Sequence, residues 1–352
     1  MIEGHGDDTY CYPGIASDFS SNICATASHH SLMAHLATHP ELLAHYPEPE
    51  AWSLETMLAE HHGIDPRCVI VTNGATEAIY LIAQTFHYRP VIPAPTFSEY
   101  EDAYRDVGAA KLGSFAHCTA AKLGSFAHYG GNTVLWLCNP NNPDGKVYDQ
   151  TFIDRMADEH ELVVLDQSYE HYTDAPLLSP RQCCLSPCCL QIHSFTKTYG
   201  VPGLRLGYIT AHESLTAQIR LHLRPWSVSA LAIEAGKYLL QHDELTCKPD
   251  LKEAQRLRQQ LLATGIDVVP TQTNFMLCRL PAADHASERE GLTAATLKDR
   301  LAQEHHILIR DASNFRCLTP QHFRVAAQTP VENDALVAAL RLIIDKTSRT
   351  LT

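Results

Sequence analysis

A chain of 352 residues can bury more than one core, and its 45% hydrophobic and 19% charged content is that of an ordinary globular protein. A net charge of −13 without a basic cluster argues against a nucleic-acid surface, and no apolar run approaches the roughly 18 residues that span a bilayer. The acidic, polar N-terminus is not that of a signal peptide, so the twelve cysteines, in no framework spacing, read as reduced thiols of a cytoplasmic protein.

Residues 1–30 have little periodicity, and Asp18–Asn22 reads as an extended arm. Leu32, Leu36, Leu42 and Leu43 predict a helix over 31–45, interrupted at Pro40. Residues 51–62 read as an amphipathic helix. Val69–Thr72 is a short strand, followed by Asn73-Gly74-Ala75-Thr76-Glu77 and an apolar helix over 78–86. Glycine at such a turn lets the backbone approach a ligand, and the helix N-terminus favours a phosphate. Val91–Pro93 is a second strand, with Phe97 on the loop beyond it. The nonapeptide AAKLGSFAH occurs at 109–117 and again at 120–128. Two copies do not make a repeat architecture. One is expected to supply a strand and the other a longer loop.

Thr133–Cys138 reads as a buried strand ending in a turn rich in Asn, Pro and Gly, Asn139 to Gly145. After a helix over 149–160, the strand Leu162–Leu165 leaves Asp166 at its end and Tyr169 three residues on. Cys183, Cys184, Cys188 and Cys189 cluster, but adjacent cysteines point apart and a structural zinc site needs two separated pairs, so no metal is assigned. The scattered histidines read as surface and helix-face residues. Leu190–Ile192 and Leu206–Ile209 are strands flanking Lys197. Helices follow near 212–223, 230–241 and 248–263. The last third mixes strands near 266–269, 273–279, 306–309 and 322–326 with helices near 293–304 and 332–346. Apolar strands alternating with helices indicate a mostly parallel sheet covered on both faces. Residues 30–240 are therefore expected to form a large α/β domain. Residues 1–29 and 241–352 form a smaller α+β one.

The centre of this pattern is Ser194-Phe-Thr-Lys197-Thr-Tyr-Gly-Val-Pro-Gly-Leu-Arg205-Leu-Gly-Tyr208. A lysine amine can condense with an aldehyde. The segment resembles the lysine segment of the aminotransferase class I/II family, which are pyridoxal 5′-phosphate (PLP) enzymes of fold type I. The likeness runs over nearly the whole chain. It implies the aspartate aminotransferase-like fold, with a seven-stranded sheet and a homodimer. Carried over position by position, Lys197 would hold the PLP aldehyde, Asp166 would pair with the pyridine nitrogen, and Tyr169 and Asn142 would bond the ring oxygen. Phe97 would stack on the ring. The amides of Ala75 and Thr76, with Ser194, Thr196 and Arg205, would cradle the phosphate. Tyr46 would reach the phosphate of the neighbouring subunit's cofactor. Arg324 would clamp the substrate carboxylate, and Arg310, with His5 and Asn22, a substrate phosphate. Asp144 departs from the family pattern, which has threonine there.

Three segments, around His5–Ile23, Pro225–Ala232 and Ile307–Phe315, resemble family members that decarboxylate a phosphorylated amino acid. Cys24-Ala25 departs from the Asn-Pro usual in those members. The other activity the resemblance implies is transamination, of histidinol phosphate or an aromatic amino acid. A DNA-binding regulator of the same fold is not expected without a basic helix-turn-helix.

Overall fold

Strands with no polar alternation run through the middle of the molecule. The computed structural model describes residues 6–24, 27–106, 116–119, 132–281 and 292–350. In chain order, β1 (Ser17–Asp18) leads to α1 (His30–Ala37) and α2 (Trp52–His62). Then come β2 (Val69–Thr72), α3 (Gly74–Thr85), β3 (Arg89–Ala94), α4 (Glu99–Asp106), β4 (Ala116–Thr119) and β5 (Thr133–Cys138). They are followed by α5 (Gln150–Glu159), β6 (Leu162–Asp166), α6 (Pro180–Cys183), β7 (Cys189–Ser194), α7 (Phe195–Thr198) and β8 (Gly207–Ala211). Helices α8 (Glu213–Arg220), α9 (Ala230–Leu240) and α10 (Leu251–Leu262) precede β9 (Asp267–Val268) and β10 (Phe275–Arg279). The chain ends with α11 (Ala294–His305), β11 (Ile307–Leu308), β12 (Arg310–Asp311), β13 (His322–Ala326) and α12 (Pro330–Thr350).

The seven-stranded sheet has the order β2-β8-β7-β6-β5-β3-β4. All its described pairs are parallel except those of β8, which runs against both β2 and β7. In β5, Val134, Trp136 and Cys138 enter one apolar layer while Leu135 and Leu137 enter the other. In β6, Leu162 and Val164 separate from Val163 and Leu165 in the same way. A sheet covered on both faces needs apolar residues at every position, which is why these strands read as unbroken runs. Cys183 and Cys189 belong to the second layer. A four-stranded sheet, β12-β13-β10-β9, packs with α10, α11 and α12 around a separate core. The arm strand β1 lies parallel to β11.

Three local readings change. The helix expected from residue 78 begins at Gly74, because Glu77 folds back to accept the Asn73 N–H at 2.6 Å and closes the first turn. Residues after Phe97, read as loop, form α4. Ser98 accepts the N–H groups of Glu101 and Asp102, and three acidic residues in the first turn suit the helix dipole. Lys197, expected on a loop, sits in the single turn of α7 directly after β7. Of the duplicated nonapeptide, only Ala116 and His117 of the first copy are described, and they open β4. The remainder lies outside the described residues.

Candidate active site

The register of the sheet lines up the ends of its strands. Cys138 pairs with Asp166, and Asp166 with Ile192. On the other side, Gly207 pairs with both Ser194 and Thr72. Asp166, Ser194 and the start of α3 therefore fall along one edge. Gly207 sits where three backbones converge: a Cβ there would lie 2.7 Å from Ala75 N, 2.8 Å from Gly74 C and 2.8 Å from His193 O. Only a residue without a side chain lets β8 approach this closely.

Ala75 and Thr76 form the first turn of α3 and are half-buried. A Cβ on Gly74 would meet Arg205 Nη2 at 2.7 Å, so the guanidinium lies over that turn. Arg205 is exposed, with a left-handed φ of 53°. Ser194 and Thr196, at the end of β7 and in α7, are buried. The N–H groups of a helix start, two hydroxyl residues and a guanidinium are a donor set suited to an anion.

The Lys197 amine lies 5.6 Å from the centre of the Tyr169 ring. Burial brings its pKa down to about 7, the charges of Arg324 and Arg205 push the same way, and Asp7 and Asp18 oppose them. At neutral pH a large share of this amine is unprotonated, as a nucleophile must be. Asp166 is buried and accepts from Tyr100 Oη at 2.6 Å and from Ser168 N–H at 2.9 Å. Phe97 is half-buried, edge-on to Tyr100 with centroids 5.7 Å apart. Asn142 stands on the turn after β5, which Asp144 holds by accepting from Asn141 Nδ2 at 2.8 Å and Lys146 N–H at 3.1 Å. The unusual residue at 144 thus closes the turn and leaves Asn142 free to point inward.

The second sheet brings the arginines. Arg310 and Arg324 are direct neighbours across β12 and β13, and both are buried. Arg324 donates to Asn142 Oδ1 at 2.5 Å and to the Ser20 carbonyl at 2.5 Å. Its Nε is buried with no partner, and burial holds its pKa below the usual guanidinium range. Arg310 donates to the Asp311 carbonyl at 2.5 Å and to Asn314 Oδ1 at 2.9 Å. Burial and the charge of Arg324 bring its pKa down to about 10. Asn22 Nδ2 donates to Tyr169 Oη at 3.3 Å, while its Oδ1 is buried without a partner. Gly6, Phe97, Ser98, Asn142, Arg310, Asn314, Phe315 and Arg324 line one small cleft. Like charges side by side and buried are costly, which marks the cleft as a place for anions.

The structure thus gathers Ala75, Thr76, Phe97, Asn142, Asp166, Tyr169, Ser194, Thr196, Lys197, Arg205, Asn22, Arg310 and Arg324 around one cleft and the strand ends beside it. Tyr46 stands apart, 87% exposed, with its ring 5.7 Å from that of Trp226. His5 lies outside the described residues. Tyr100, Asn314 and the Ser20 carbonyl are additions. Tyr100 lies in the first turn of α4, and recognising that helix start is what would have found it. The other two follow only from long-range packing.

Residues 16–340 match the family model described as aminotransferase class I and II. The threonine-phosphate decarboxylase of Salmonella typhimurium is 29% identical over 346 residues, covering 93% of this chain and 91% of that one. The crystal structure of L-threonine-O-3-phosphate decarboxylase from Porphyromonas gingivalis superposes with a TM-score of 0.83 at 35% identity, covering 93% of this chain and 99% of that one. The histidinol-phosphate aminotransferase of Bacillus pumilus is 30% identical over 290 residues, 75% of either chain. The chain belongs to the aminotransferase class I and II family. Its cofactor is PLP, and the N-terminal turn of α3 under Arg205, with the Lys197 amine whose pKa burial lowers to about 7, fits that group.

Proposed function

We propose that the protein decarboxylates L-threonine O-3-phosphate to (R)-1-amino-2-propanol O-2-phosphate, a reaction of cobalamin biosynthesis. The observation that carries this reading is the pair of buried arginines facing one cleft, Arg310 and Arg324. A small substrate with a phosphate and a carboxylate supplies one anion to each. Histidinol phosphate has no carboxylate and would leave one guanidinium uncompensated.

In this reading Ala75, Thr76, Ser194, Thr196 and Arg205 hold the cofactor phosphate, Phe97 covers the ring, and Asn142 and Tyr169 bond its oxygen. Asp166 keeps the ring nitrogen protonated, with Tyr100 fixing the carboxylate. PLP supplies an electron sink conjugated to the substrate's Cα when bound. Arg310, with Asn22 and His5, grips the phosphate of the substrate. Arg324 grips its carboxylate, and that grip sets which bond at Cα stands perpendicular to the ring. Lys197 Nζ then returns a proton to Cα after CO2 has left. Residues 30–240 act as the cofactor domain, and 1–29 with 241–352 close the substrate side. The working unit is a cytoplasmic homodimer in which the exposed Tyr46 reaches the neighbouring cofactor phosphate.

The test is incubation of the PLP-loaded protein with threonine phosphate. CO2 and the amino alcohol phosphate support the proposal. Conversion of the cofactor to pyridoxamine phosphate, with a 2-oxo acid formed instead, identifies an aminotransferase.

A further inference from the structure

Away from this cleft, α1 and α9 pack side by side, and three side chains meet between them. His35 lies in the last turn of α1 and His39 just past its end, four residues on, and their ring centroids lie 4.5 Å from each other. Glu234 reaches across from α9, its Oε1 2.9 Å from His35 Nε2. One donor atom from each of the three lies within 4.8 Å of the others, and all three side chains are half-buried. Two imidazoles and a carboxylate are a zinc donor set.

The hydrogen bonds around His39 fix its tautomer. Thr38 Oγ1 donates its only proton to the His35 carbonyl at 2.7 Å. His39 Nδ1 lies 3.1 Å from Thr38 Oγ1 and 3.0 Å from that same carbonyl. Both neighbours can only accept, so Nδ1 carries the ring proton. Nε2 is left with its lone pair, the form a metal takes. His35 is steadied by stacking on Tyr238, with centroids 4.4 Å apart. Outer contacts of this kind set ligand orientation in metal sites. Donors in a tetrahedral zinc site sit roughly 3.3 Å apart, from zinc–nitrogen distances of about 2.0–2.1 Å. The closest pair, at 2.9 Å, must open slightly and the wider ones contract, changes that half-buried side chains make by small rotations.

We propose that His35, His39 and Glu234 bind one zinc-class divalent cation, with water as fourth ligand. The cation takes the place of the proton between His35 and Glu234. It staples α1 to α9 and thereby steadies the chain that runs from α1 to Tyr46. It touches none of the residues of the cleft.

The experiment uses tag-free, PLP-loaded protein, stripped with a chelator and dialysed against zinc chloride, with bound metal counted by mass spectrometry. Wild type should retain one zinc per chain, and zinc should raise its Tm. His39→Ala should lose that ion and the Tm shift. Glu234→Gln, which keeps a hydrogen bond to His35 but loses the carboxylate charge, should lose most of its retained zinc. His87→Ala, an exposed histidine elsewhere, should behave as wild type. Visible absorption of the cobalt(II) form should have tetrahedral intensity. Zinc retention unchanged in His39→Ala and Glu234→Gln, or no zinc retained by wild type, would reduce the cluster to a hydrogen-bonded pair and overturn the proposal.

Discussion

The two ends of the candidate site are built on opposite principles. At the Lys197 end, polar groups arrive with protein partners already made: Asp166 accepts from Tyr100 and Ser168, and the turn bearing Asn142 is tied by Asp144. At the arginine end, buried groups are left short: Arg324 Nε and Asn22 Oδ1 have no partner, and two guanidiniums sit side by side. The first end is preorganised by strand register. The second stores an electrostatic cost that a doubly anionic ligand relieves. A family can therefore keep its cofactor chemistry constant on one sheet while the other selects the substrate.

That contrast can be broken from either side. The largest expected effect is at Lys197: Lys197→Ala should lower turnover by on the order of 10^4-fold or more, measured as CO2 release, since the nucleophile and proton carrier go together. Borohydride reduction of PLP-loaded wild type should tag the peptide containing residue 197, and the variant should show no tag. Next, Arg324→Gln should reduce kcat/KM by about 3 kcal/mol, roughly 100-fold, because it removes one partner of a buried charged contact. Arg310→Gln should cost about as much for the phosphorylated substrate. It should leave residual activity on unphosphorylated threonine unchanged, which Arg324→Gln should not. Equal losses on both substrates in Arg310→Gln would remove the assignment of phosphate to that residue.

Smaller effects probe the frame. Gly207→Ala should destabilise the chain by up to about 3 kcal/mol in urea unfolding, since its Cβ would meet backbone atoms that cannot move aside. The pH dependence is smaller still and its sign is fixed. In the cofactor-free chain Lys197 titrates near 7, below its ordinary 10.5, so between these values the unfolded chain binds more protons. Stability from this group is fully present above about pH 10.5, declines as pH falls, and levels off below about pH 7. Subtracting the urea-unfolding profile of Lys197→Met from that of wild type should isolate that slope. A flat difference would place the amine in water.

The same division explains what could be read from the residues alone. Asp166, Lys197 and Asn142 announce themselves because each follows an apolar strand, and a strand end in an open α/β sheet is where a ligand sits. Their local sequence carries the information. Tyr100 did not announce itself, since the turn of α4 that aims it was read as loop. The two arginines were legible, fourteen residues apart on neighbouring strands, but the register that makes Arg310 and Arg324 direct partners across β12 and β13 was not. Nor was the antiparallel β8, inserted between β2 and β7 so that Gly207 could meet Ala75. Gly145 is a similar case: a Cβ there would overlap Thr271 Oγ1 at 1.9 Å, so the Asn142 turn is seated against the segment leading into β10. Contacts of this range have no local signature.

The most direct measurement is the fate of carboxyl-labelled threonine phosphate mixed with PLP-loaded protein. The account predicts that the label leaves as CO2, one for each amino alcohol phosphate formed, with the cofactor unchanged in spectrum at the end. Label retained in solution as an oxo acid, with the cofactor bleached to its amine form, would contradict it.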